Sequence, residues 1–87
     1  MKLERQSDGK ITVIWLIGCI RGEHLEEIKR QVSDSSERTI LDLGEVTIVD
    51  VDVIVFLSTC ERKRIQLVSC PLYIREWILR ERAEGGL

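Results

Sequence analysis

The residues best suited to chemistry are two aspartates, Asp50 and Asp52, in the stretch EVTIVDVDVIVFL at residues 45–57. An apolar run ends at Asp50-Val51-Asp52 and then turns apolar again. Carboxylates at that spacing after a strand can serve as an enzyme's nucleophile and general acid/base, with a metal offsetting their charge. The same pair can open a helix. Asp50 is then the N-cap, accepting from the free N–H groups of the first turn, and Asp52 lies where the helix dipole favours negative charge. A third reading is a site whose usual chemistry has been lost. Other reactive side chains offer less. Cys19, Cys60 and Cys70 are odd in number and have no C-x-x-C spacing, so they read as buried thiols of a reducing, cytoplasmic setting. The single histidine, His24, sits among helix-surface charges, and no ligand set has metal-site spacing. No metal or cofactor is expected.

The elements that must position these residues fit a single domain over residues 1–87. Apolar residues make up 44% and charged residues 32%, ordinary for a globular protein, and the net charge of −2 gives no electrostatic reason to expect nucleic acid or an anionic membrane as partner. The basic cluster Arg62-Lys63-Arg64 follows a helix-like run, where cations suit the helix C-terminus. The apolar run at residues 11–20 is shorter than the roughly 20 residues a membrane span needs and lacks the flanks of a signal peptide.

Along the chain, Ser7-Asp8-Gly9 is a turn between strands at residues 2–5 and 10–17, a hairpin. In the second strand Ile11, Val13, Trp15 and Ile17 share one face, with Ile14 and Leu16 on the other, the pattern of an interior strand. Gly18 and Gly22 bracket a loop. Leu25, Ile28 and Val32 at helical spacing predict an amphipathic helix over 22–33. A strand at 39–43 is closed by Gly44, and residues 46–49 lead into Asp50. From there Val53, Phe56, Leu57 and Cys60 form a helical stripe ending at Arg64. A last strand at 65–70 precedes Pro71, which suits the first turn of a final helix whose inner side holds Ile74, Trp77, Ile78 and Glu81. The order is β-β-α-β-α-β-α, an α/β domain with a small mixed sheet. Trp15 and Trp77 fit core stripes better than a ligand pocket, and so short a chain leaves little room for one. On the helix that starts at Asp50, the face opposite the apolar stripe carries Val51, Val55, Ser58 and Arg62. Two outward valines are unusual for a monomer and mark a contact patch unless another element covers them.

Two resemblances bear on the aspartates. Asp50-Val51-Asp52-Val53 resembles the first motif of haloacid dehalogenase-type phosphatases. That family also requires a Ser or Thr after a second strand, a distant Lys and a later acidic pair, and only 35 residues follow Asp52, none of them a strand followed by paired aspartates. Over nearly the whole chain the sequence is similar to the STAS domain, the module of sulfate transporters and bacterial anti-sigma factor antagonists. The resemblance rests on the early strand VIWLIGCIRG, the helix EHLEEIKRQV, the segment TILDLGEVTIVD with Asp42, Leu43, Val46 and Asp50 at the family's signature positions, and the tail IQLVSCPLYIREWIL. It implies a small mixed sheet with helices packed mainly on one face, and a non-catalytic module that binds a protein partner through the start and exposed side of the helix after Asp50. Such a partner is an anti-sigma kinase, a signalling scaffold or a transporter component; self-association into a homo-oligomer is the other option.

In that family the residue after the equivalent of Asp50 is the serine phosphorylated by the partner kinase, and the added charge at the helix start disfavours the complex. Here Val51 stands in that place, Asp52 in the second hydroxyl place and Val53 in the glycine place. Valine has no hydroxyl, so the phosphosite is degenerate at Val51. The expectation is therefore an interaction module that does not switch at the usual position, using Val51, Asp52, Val55, Ser58 and Arg62 for the partner and Asp50 as a helix cap.

Overall fold

A computed structural model describes residues 1–33, 38–63 and 65–85. Its elements are β1 (Lys2–Ser7), β2 (Ile11–Ile20), a 3-10 turn (Gly22–His24), α1 (Leu25–Ser33), β3 (Arg38–Val49), α2 (Val51–Arg62), β4 (Gln66–Val68) and α3 (Leu72–Gly85). This is the α/β order read from the sequence.

The hairpin forms because the Asp8 side chain closes its turn: Oδ1 accepts from the amides of Lys10 and Ile11, both at 2.9 Å, and Gly9 takes a φ of 91° that a side chain would disfavour. The sheet runs β1-β2-β3-β4. β1 is antiparallel to β2, with Ser7 opposite Thr12 and Lys2 opposite Ile17. β2, β3 and β4 are parallel, so α1 and α2 are the crossovers.

All helices pack on one face of the sheet. Ile14, Leu16 and Ile20 of β2 and Leu41 and Leu43 of β3 are buried in one core with Ile28 of α1, Val53, Ile54 and Leu57 of α2, and Ile74 and Ile78 of α3. Each such side chain contributes about 1.5–3 kcal/mol on full burial. The period-2 pattern of β2 is therefore resolved in favour of Ile14 and Leu16 as the core face.

At two glycines the strand ends differ from expectation. β2 does not stop before Gly18 but runs on to Ile20, and β3 does not stop at Gly44 but runs on to Val49. Both strands absorb the interruption through register shifts, between Trp15 and Ile17 and between Gly18 and Cys19, where Gly18 adopts a φ of 88°. The glycines mark irregularities within paired strands rather than their ends.

Helix α3 is fastened to its neighbours by polar contacts. Arg75 grips both carboxylate oxygens of Glu61 at 2.8 and 3.0 Å, and the Tyr73 hydroxyl donates to the Thr47 carbonyl at 2.6 Å. None of the described helices is long and apolar enough to cross a membrane.

Candidate functional site

The aspartate pair lies where β3 hands over to α2. Asp50 has extended backbone angles (φ −105°, ψ 177°) and caps the helix: its Oδ1 accepts from the Val53 amide at 3.1 Å. Its second oxygen, Oδ2, accepts from the Gly22 amide at 2.8 Å. One carboxylate thus ties the end of β3, the start of α2 and the turn after β2 together. The Gly22 amide, then that of Val53, holds the Asp50 carboxyl below its ordinary value of 3.8. With both oxygens engaged by backbone donors, Asp50 is built as a cap.

Asp52 is exposed and lies against Gly22. A Cβ at Gly22 would come 2.8 Å from Asp52 Oδ2 and 3.3 Å from its Cβ. Gly22 is therefore part of this site both as a donor and as the residue that leaves room for Asp52. The sequence carries Gly22 only as a loop marker; its pairing with Asp50, 28 positions away, needs the parallel register of β2 and β3. The turn is stiffened by His24, whose Nδ1 accepts from the Arg21 amide at 3.0 Å.

The outer side of α2 is only partly as expected. Val51 and Val55 are 48% and 46% exposed, and Ile48 just before the cap is 61% exposed. Arg62 is exposed as well. Ser58 is not on this surface. It is 7% exposed, and its hydroxyl accepts from Arg82 Nε at 3.1 Å. α3 packs along that flank of α2, so the buried arc extends through Ile54 and Ser58 as well as the apolar stripe. The exposed line runs Val51, Val55, Thr59, Arg62.

On its other flank α2 stands apart from α1, leaving an open groove of about 600 Å³. Leu25, Phe56 and Ile65 give it apolar walls, Asp52 and Val55 reach into it, and Lys29 lies with its ammonium 6.0 Å from the centre of the Phe56 ring. Space of this size was not expected in so short a chain. It arises because α1 and α2 each pack on the sheet rather than on each other. The successive crossovers between the described strands all proceed in one direction across the sheet, so among the described residues there is no topological switch point of the kind that opens a crevice between strand ends in doubly wound folds.

Among the described residues no group of three or more His, Cys, Asp or Glu is arranged to hold a metal ion. Cys60, 2% exposed, has its thiol pushed up to about 12 by burial. Compared with known proteins, the chain matches no protein-family model and no curated relative.

Proposed function

We propose that the protein is a non-catalytic interaction module of the STAS type, serving bacterial regulation in the cytoplasm by docking a protein partner on the outer side of α2. The contact residues are Val51, Asp52, Val55 and Arg62, with Thr59 in the place expected of Ser58. The observation that carries this reading is the exposure of Ile48, Val51 and Val55 around a rigidly capped helix start. Three large apolar side chains left in water on adjoining segments, next to a backbone that is fixed, suit a preformed protein contact. Val51 at the first helical position has no group to phosphorylate, so the module does not switch at that position. The double engagement of Asp50 favours this reading over a phosphatase, whose nucleophile must reach a phosphorus atom.

The test is affinity capture from the host with wild-type protein and a Val51→Lys/Val55→Lys variant whose folding has been checked. Recovery of a kinase-like protein, a signalling scaffold or a transporter component by the wild type alone supports the reading. Equal recovery by both proteins moves the contact elsewhere. A phosphatase would instead hydrolyse a generic phosphate ester with Mg²⁺ and lose that activity on Asp50→Asn.

A further inference from the structure

The face of the sheet opposite the helices carries no covering element among the described residues, yet it is apolar. Residues paired across parallel strands project to the same side, so Ile11 lies beside Arg38, Val13 beside Ile40, Trp15 beside Asp42 and Ile17 beside Glu45; Val68 completes the row next to Asp42. Ile11, Val13, Trp15, Ile17, Ile40 and Val68 are all half-buried, and none of them packs on the core. Other half-buried apolar side chains, such as Leu3, Phe56 and Trp77, do. Parallel strands that are apolar on both faces are the pattern of a sheet covered on both faces.

We infer that this open face is the contact surface of a homodimer in which two sheets stack face to face with their strands antiparallel. The occupant is identified by the charges that frame the apolar strip. Arg38 stands at the start of β3 and Glu45 near its end, about 23 Å away at the rise of an extended strand, with Asp42 midway between them, its Oδ1 taken up by the Gly44 amide at 2.9 Å. Lys2 and Glu4 on the neighbouring strand pair with each other at 3.4 Å and add no net charge. The face is therefore positive at one end and negative at the other. A two-fold axis between the sheets, at right angles to the strands, lays β3 on β3 in reverse and brings Arg38 of each protomer opposite Glu45 of the other. Packed sheets stand about 10 Å apart, a gap these long side chains span from both sides. An isologous interface requires such self-complementarity, because each patch meets its own copy. The surface lies across the sheet from α2, so the dimer leaves the α2 contact free and stands independently of it.

Sedimentation velocity on the full chain tests the inference. Wild type sediments as a dimer at tens of micromolar. Arg38→Glu and Glu45→Arg each place like charges opposite one another and weaken the dimer about tenfold or more, whereas the double swap Arg38→Glu/Glu45→Arg restores it. The restoration also shows that the single variants had not simply misfolded. A wild type that stays monomeric at these concentrations overturns the inference. So does a dimer indifferent to the single swaps, a dimer not restored by the double swap, or one abolished by Val51→Lys/Val55→Lys instead.

Discussion

Gly22 and Asp50 are 28 positions apart in the chain and joined at 2.8 Å: the glycine amide donates to Oδ2 while Oδ1 of the same carboxylate caps α2. This single side chain fixes the angle at which α2 leaves the sheet and therefore where Val51 and Val55 stand. The docking surface proposed for α2 gains from that rigidity, because a loose helix start must be ordered on binding at an entropic cost.

Asp50→Asn retains one carbonyl oxygen but loses the second acceptor and the charge, so it is less stable than wild type at neutral pH. The sign of the pH dependence follows from the lowered carboxyl. A group depressed in the folded state contributes stability above its unfolded value, near 3.8, and that contribution is lost as pH falls through the folded value. Urea midpoints of the two proteins differ most at neutral pH and converge below 3.8.

Gly22→Ala brings a methyl group to 2.8 Å from Asp52 Oδ2, so Asp52 must shift. The substitution destabilises, and part of the loss is recovered in the Gly22→Ala/Asp52→Ala double variant, whose shorter side chain removes the closest contact. A double-mutant cycle by denaturant unfolding should give a coupling of about 1 kcal/mol.

Cys60 reacts with a thiol reagent at pH 8 only when the protein is unfolded, because burial raises its thiol to about 12. The same rise makes the fold sensitive to alkali. A group raised in the folded state contributes stability that is intact below its unfolded value, near 9, and is lost progressively as pH rises toward about 12. Cys60→Ala flattens this limb of the stability curve, although the cavity it leaves lowers stability at neutral pH.

Arg82 bridges α3 to α2, donating to Ser58 Oγ at 3.1 Å and to Glu61 at 3.0 Å. Arg82→Leu strips a donor from the buried Ser58 hydroxyl and destabilises by roughly 1 kcal/mol, discounted for the partial exposure of the ion pair. Adding Ser58→Ala to Arg82→Leu costs little more, since the hydroxyl has already lost its partner. Thermal unfolding of the two variants checks this.

Most of the architecture was legible because it rests on local signals. Alternation in β2, helical spacing from Leu25 to Val32 and from Val53 to Cys60, and punctuation by Asp8-Gly9 and Pro71 each act within a few residues. Asp50 as a cap was legible for the same reason. What the sequence obscured depends on neighbours distant in the chain. Ser58 looks like a surface serine until α3 places Arg82 beside it. Gly22 looks like a loop marker until the register of β2 and β3 sets it against Asp50 and Asp52. Gly18 and Gly44 look like strand ends because a bulge and a terminus carry the same residue. The two faces of β2 were both seen to be apolar, but only the placement of the helices reveals which one is left uncovered.

The most direct test of a docking surface on α2 is site-specific photo-crosslinking in the host cell, with the reactive side chain placed in turn at Val51, Val55 and, as a control on the far side of the sheet, Lys2. A docking surface on α2 gives a discrete crosslinked species between this protein and a different protein from Val51 and Val55, absent from Lys2. Crosslinks to another protein from Lys2 but none from either valine would contradict it.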